Sequence, residues 1–178
     1  MIVLSGIYKS KKLEFKSSLI RPTSSKVKEA LFSIIGDTIN GSHFLDLFCG
    51  TGAVGIEALS RGASEVVGID LNINIASKNI KTLGLNSFKL YRNDSLRALD
   101  VLSKRKINFD LIFIDPPYDY PEYKALLLSI SKFDILKTGG KLFVEMDSID
   151  LADEKFNSLK HIKTYGYGQT KILYFIKE

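Results

Sequence analysis

Cysteine is almost missing from this chain: Cys49 stands alone among 178 residues. No disulfide can form within it, and the expected setting is a reducing cytoplasm. Long hydrophobic runs are missing too. Charged or polar side chains interrupt every apolar stretch well before the roughly 18 residues a membrane span requires. The opening MIVLSGIY is too short for the apolar region of a signal peptide and is followed, not preceded, by lysines, so no leader is expected. Histidine is limited to His43 and His161, one at the start of an apolar stretch and one before the last strand pair, and both read as structural. No metal ligand set is assigned. The chain carries no internal repeat, low-complexity tract or long linker, and its length suits one core rather than two. A soluble, cytoplasmic monomer is the expectation.

Charge is present but unevenly placed. Residues 1–30 carry seven basic side chains (Lys9, Lys11, Lys12, Lys16, Arg21, Lys26, Lys28) against Glu14 and Glu29, and so hold the whole formal net charge of +5. A basic patch at one end of an otherwise neutral chain is a footprint for polyanions. The competing reading is a solvated lysine-rich edge that keeps a hairpin from aggregating.

Apolar patterning alternates between strand and helix. HFLDLF (43–48), EVVGID (65–70), FKLYRND (88–94), FDLIFID (109–115) and KLFVEM (141–146) read as short strands, several almost continuously apolar, as in a parallel sheet buried on both faces. Between them Ile73, Ala76, Ile80 and Leu83, then Leu96, Leu99 and Leu102, recur at helical spacing. Such alternation predicts a doubly wound α/β sheet with right-handed crossovers. HIKTYGYGQTKILYFIKE reads as an antiparallel hairpin at the sheet's edge, and GIYKSKKLEF as a smaller hairpin. An amphipathic helix follows the latter, with Val27, Ala30, Leu31, Ile34 and Ile35 in one stripe, Pro22 to Ser25 as its start signal and Gly36 as its stop.

Asp46, Asp70, Asp94 and Asp115 fall at or near the ends of four successive strands, 24, 24 and 21 residues apart. Strand ends of an open parallel sheet share one edge, where ligands bind. An aspartate there can instead cap the following helix, and for any one of the four that is the plainer account; four in succession favour a ligand. The first strand runs into Gly50-Thr51-Gly52-Ala53-Val54-Gly55, whose glycines permit a tight turn and a close approach of backbone to ligand. Asp70 lies 20 residues past Gly50, where a carboxylate holds ribose hydroxyls. A nicotinamide and S-adenosylmethionine both satisfy these features. Charge separates them modestly: a rim of four carboxylates suits a sulfonium cation better than a dianionic pyrophosphate.

Asp115-Pro116-Pro117-Tyr118 is the most informative stretch. An exocyclic amine on a base is a poor nucleophile because its lone pair is delocalised into the ring. A carboxylate and a backbone carbonyl accepting its two hydrogens would orient it and stabilise the developing positive charge. Two prolines stiffen those acceptors, and Tyr118 offers a face on which a flipped-out base can stack. The alternative is a turn-forming strand exit.

DLFCGTGAVGIEALSRGA (46–63) resembles motif I of class I methyltransferases, and DPPY (115–118) their amino-methylating motif IV. GIYKSKKLEF with RPTSSKVKEALF, within residues 6–32, and YGYGQTKILYF (165–175) are similar to the bacterial 16S ribosomal RNA guanine-N2 methyltransferases of the guanine-966 type, over nearly the whole chain. The resemblance implies a Rossmann-like fold with a seven-stranded, mostly parallel sheet, a C-terminal antiparallel hairpin, and a basic N-terminal β-hairpin extension (1–22) on a single methyltransferase domain (23–178). It implies S-adenosyl-L-methionine as cofactor, held by Asp46, Phe48, Gly50, Thr51, Gly52, Asp70, Leu71, Asp94, Ser95 and Asp115. Gly50 and Gly52 would line the methionine part, Asp70 would bind ribose and Asp94 the adenine amino group. Asp115, Pro116, Pro117 and Tyr118 would act on the target guanine, while Lys9, Lys11, Lys12, Arg21 and Thr23 would contact RNA of the small ribosomal subunit or its assembly intermediate.

Three rival enzymes share part of this pattern. A nicotinamide-dependent oxidoreductase would explain the glycine loop and Asp70 but leaves DPPY and the basic segment unused. A DNA or RNA adenine-N6 methyltransferase would use the same DPPY chemistry, although 178 residues leave little room for a DNA-recognition region. A protein-glutamine methyltransferase has no need of the basic arm. A non-catalytic RNA-binding module would need neither the cofactor loop nor a rigid DPPY.

Overall fold

In the structure, a computed structural model, residues 1–15, 24–117, 120–146 and 156–178 are described. Helix α1 (Ser25–Ile35) starts where the sequence places it: the Ser24 hydroxyl accepts the Val27 N–H at 3.2 Å, and Gly36 closes the helix at φ 59°. Strand β1 (His43–Leu47) is followed by α2 (Ala53–Ser60), β2 (Glu65–Asp70), α3 (Asn74–Leu83), β3 (Phe88–Arg92), α4 (Ser95–Lys104), β4 (Phe109–Ile114), α5 (Tyr123–Lys132), β5 (Leu136–Met146), β6 (Leu159–Tyr167) and β7 (Thr170–Lys177). The seven strands form one sheet in the order β3-β2-β1-β4-β5-β7-β6. β1 to β5 run parallel, while β7 is antiparallel to both β5 and β6. The sheet is Rossmann-like, as the patterning and the resemblance implied. The fifth strand starts five residues earlier than KLFVEM suggested, and its register with β4 shifts between Phe109 and Leu111.

The continuous apolar strands have two buried faces to serve. On β1, Leu45 and Leu47 face a cluster with Leu99 and Leu102 of α4 and Leu126 and Ile130 of α5. Phe44 faces the opposite cluster, with Leu31 and Ile35 of α1 and Val54 and Ile56 of α2. Helix α2 lies close to the sheet because Gly55 has no side chain: a Cβ there would sit 2.6 Å from the Phe88 ring and 2.8 Å from Val66.

The N-terminal segment is a small hairpin-like loop whose first arm lies at 1–4, ahead of GIYKSKKLEF, which supplies the turn and the second arm. Ile2 bridges Lys12, the Val3 and Leu13 N–H groups bond the Lys11 and Met1 carbonyls, and residues 6–10 make the turn. Its anchor is Glu57, a fully buried carboxylate on α2. Glu57 accepts the N–H groups of Leu4 and Ser5 at 2.8 and 2.9 Å and pairs with Lys28 at 3.2 Å and Arg61 at 2.8 Å. Lys28, counted above in the basic footprint, is only 1% exposed and serves this anchor. Burial pulls its ammonium below the usual lysine range, against the opposing pull of Glu57.

Candidate functional site at the ends of the parallel strands

Strand order reverses at β1: the chain moves outward to β2 and β3, then returns to place β4 on the other side. The crevice at such a reversal is where open α/β sheets bind ligands. A cleft of about 780 Å³ opens there, within the range of small-molecule sites.

The loop leaving β1 forms one wall. It turns through left-handed backbone at Phe48 (φ 62°), Gly50 (φ 53°) and Gly52 (φ 76°), and the Gly52 N–H bonds the Cys49 carbonyl at 2.7 Å. Phe48 holds a conformation that bulky residues avoid, with its ring edge-on to Tyr120 at 5.0 Å. Asp70 braces the loop from the end of β2. One of its oxygens accepts the Gly50 N–H at 2.8 Å and the other the Asn72 N–H at 2.9 Å. Asp46, 1% exposed, accepts the Gly55 N–H at 2.9 Å and so ties β1 to the first turn of α2. Burial pushes its carboxyl up to about 8, helped by the charges of Asp115 and Asp70 and opposed by the Gly55 bond.

Asp94 is both a helix cap and part of the cleft lining. Its side chain accepts the Arg97 N–H at 3.1 Å as the cap of α4, and it also lines the cleft. Asp115 follows β4 beside the β1 loop, its N–H bonding the Leu47 carbonyl at 3.3 Å. Pro116 is buried and Pro117 exposed.

Of the residues singled out from sequence, Asp46, Phe48, Gly50, Thr51, Asp70, Leu71, Asp94, Ser95, Asp115, Pro116 and Pro117 all line this one cleft. Gly52 lies one step behind the wall, as the left-handed cap of α2. Lys9, Lys11 and Lys12 are exposed on the N-terminal loop. Arg21, Thr23 and Tyr118 lie outside the described residues. His43 is exposed at the start of β1, and His161 bonds the Thr164 hydroxyl at 3.0 Å.

The sequence reading missed part of the other wall: Lys26 at the start of α1, Tyr120 after the DPP turn, Glu145 near the end of β5, and Tyr167, Gln169 and Thr170 at the tip of the last hairpin. The hairpin tip reaches the cleft because β7 runs backwards: Lys171 pairs with Met146, so β7 begins where β5 ends. Glu145 had a visible signal, since it is the one acid in KLFVEM and stands at a strand end like the four aspartates. Tyr120 packs edge-on with Tyr123 at 5.8 Å. Burial, with the charges of Glu122 and Asp94, pushes its phenol up to about 12, so it stays a neutral hydroxyl.

The lining suits the cofactor implied by the glycine loop. Asp46, Asp70, Asp94, Asp115 and Glu145 face the cleft, and Lys26 is the one lysine or arginine among its described lining residues. S-adenosylmethionine carries a sulfonium, an ammonium and a single carboxylate, and its net positive charge matches a wall dominated by carboxylates.

Residues 1–176 match the family described as Conserved hypothetical protein 95. The chain is 38% identical to the Bacillus subtilis protein YlbH, whose name as an rRNA methyltransferase is itself provisional, over 99% of each chain. It is 32% identical to the ribosomal RNA small subunit methyltransferase D of Buchnera aphidicola, over 82% of this chain and 77% of that one. In fold it resembles the Thermus thermophilus 16S rRNA N2 G1207 methyltransferase solved with AdoMet and guanosine. There the TM-score is 0.74 at 24% identity, over 92% of this chain and 45% of that one.

Proposed function

The chain belongs to the Conserved hypothetical protein 95 family, as a class I S-adenosylmethionine-dependent methyltransferase, and we propose that it methylates the exocyclic N2 amine of a guanine in 16S ribosomal RNA. The observation that carries this reading is the convergence of the glycine loop after β1 and the Asp115-Pro116-Pro117 turn after β4 on one acidic cleft. The first belongs to a methyl-donor site and the second to an amine acceptor site, and a transfer reaction needs the two side by side.

Bound cofactor supplies an electrophilic methyl group on a sulfonium. Phe48, Gly50 and Thr51 would hold its amino-acid end, Asp70 its ribose, and Asp94 with Ser95 its adenine. The protein's remaining work is on the amine. Asp115 accepts one of its hydrogens and a carbonyl of the rigid turn the other, which turns the nitrogen lone pair out of conjugation with the ring. As the nitrogen gains positive charge, the Asp115 carboxylate stabilises it electrostatically and stands ready for the departing proton. Tyr118, or Tyr120 packed on Phe48, would stack on the extruded base.

The N-terminal extension 1–22 would meet RNA phosphates through Lys9, Lys11, Lys12 and Arg21, with Thr23 just beyond it. The docking of Leu4 and Ser5 on Glu57 holds Lys9, Lys11 and Lys12 beside the domain. The substrate would be the small subunit or its assembly intermediate, and the enzyme a cytoplasmic monomer. Among the described residues no helix is long and apolar enough to cross a membrane.

Mass mapping of 16S rRNA from cells lacking the protein tests the reading. One N2-methylguanosine should vanish and return when purified protein and S-adenosylmethionine are added to the isolated small subunits. An unchanged guanine pattern, or the loss of an N6-methyladenosine instead, refutes it.

A further inference from the structure

We propose that Glu145 is a specificity-determining residue that reads the N1–H of the target guanine beside Asp115; this rests on the guanine-N2 reading above. The register of β4 on β5 pairs Ile114 with Val144. Asp115 and Glu145 are therefore the next residues on two adjacent parallel strands, and both line the same cleft. Strand order puts the glycine loop, Asp70 and Asp94 at the ends of β1, β2 and β3. Asp115 and Glu145 lie across the reversal point, at the ends of β4 and β5. That half of the cleft is left for the methyl acceptor.

Guanine presents two neighbouring donors on its Watson–Crick edge, the N1–H and the N2 amine. Adenine presents an amine beside a bare N1 acceptor, and cytosine an amine beside a bare N3. Two side-by-side carboxylates therefore match guanine alone among bases with an exocyclic amine. Asp115 takes the amine that reacts, and Glu145 takes the neighbouring ring N–H. An adenine or cytosine turned the same way would bring a ring lone pair against the Glu145 carboxylate. A site built to bond a donor rejects the analogue that lacks it, because its own acceptor is left desolvated. Glu145 is half-buried, so water compensates poorly for that loss. The role is one of positioning and discrimination; Glu145 takes no proton in the transfer.

The test uses the whole protein, S-adenosylmethionine, and small subunits from cells lacking it, with free nucleosides as competitive inhibitors. Guanosine keeps both donors, whereas 2,6-diaminopurine riboside keeps the amine but has an acceptor at N1. Guanosine should inhibit the wild type at least about 10-fold better than diaminopurine riboside. In Glu145→Gln, whose amide can donate as well as accept, that ratio should fall towards one, with kcat/KM on subunits reduced by far more than the affinity for S-adenosylmethionine. A ratio that stays the same in Glu145→Gln, equal inhibition of the wild type by both nucleosides, or no inhibition by guanosine would overturn the assignment. Failure of the wild type to form N2-methylguanosine on subunits would instead remove the reading on which it rests. The two failures are thus read separately.

Discussion

Glu57→Gln should destabilise the protein by about 3–5 kcal/mol, the cost of breaking a buried ion pair from one side. The figure follows from what is left behind. Glu57 and Lys28 are 0% and 1% exposed and 3.2 Å apart. Without the carboxylate, the Lys28 ammonium keeps, among the described residues, the Ile2 carbonyl at 3.1 Å. Arg61, 22% exposed, can turn to water and adds little. The amide also cannot accept both the Leu4 and Ser5 N–H groups, so part of the N-terminal anchor is lost. Lys28→Met leaves a carboxylate that still accepts two backbone N–H groups and the Arg61 side chain, and should cost clearly less. Combining the two changes should be milder than Glu57→Gln alone, since no bare charge remains. Urea unfolding followed by far-UV circular dichroism suits a chain without tryptophan and gives all three free energies. Amide exchange at Leu4 and Ser5 should accelerate in Glu57→Gln. A loss below about 1 kcal/mol, the size typical of a surface pair, or equal losses for the two single variants, would refute the reasoning.

Asp115→Ala should lose about 100-fold or more in methyl transfer, far more than it loses in affinity for S-adenosylmethionine by calorimetry; normal turnover would remove Asp115 from the chemistry. Asp46, pushed up to about 8 by burial, takes up a proton on folding at pH values between its ordinary range and 8. Its contribution therefore weakens as pH rises through that window. Asp46→Asn should gain on the wild type in urea midpoint from pH 5 to pH 8, and parallel curves would contradict the shift. Replacing Lys9, Lys11 and Lys12 with alanine should weaken RNA binding and flatten the log–log salt slope by about 2 if all three meet phosphates; an unchanged slope returns them to a solvated edge. Gly55→Ala should cost about 1–3 kcal/mol through overpacking against Phe88 and Val66, read from the same urea curves.

The parts of the molecule legible in sequence were those fixed by local pattern. β2 appears with the bounds that EVVGID implied, because a strand buried on two faces leaves a bounded apolar run. α1 begins at Ser24 and ends at Gly36, because capping is settled by neighbours in the chain. Burial by pairing was harder to see. Lys28 looks like any lysine of a basic segment, and only the approach of Glu57, 29 positions away, makes it interior. The hairpin tip at Tyr167, Gln169 and Thr170 was missed as part of the site for a similar reason: its place depends on the antiparallel return of β7 along β5, a long-range pairing that YGYGQT does not encode locally.

On the function proposed above, electrostatics would let one small domain serve two ligands of opposite character. The cleft is lined with carboxylates, and on the proposed reading Asp70 and Asp94 would act at short range on a compact cation. Lys9, Lys11 and Lys12 stand in solvent on the N-terminal loop, where a polyanion would make many weak contacts and salt would compete with each. Moving either set would fail: carboxylates on the outer surface would repel RNA, and lysines on the floor would repel the sulfonium. Glu57 docks the lysine-bearing loop against α2 through Leu4 and Ser5, and the N-terminal end of that helix carries the glycine turn. The salt dependence of binding should thus be steep for RNA and shallow for S-adenosylmethionine, and Glu57→Gln should alter the first far more than the second.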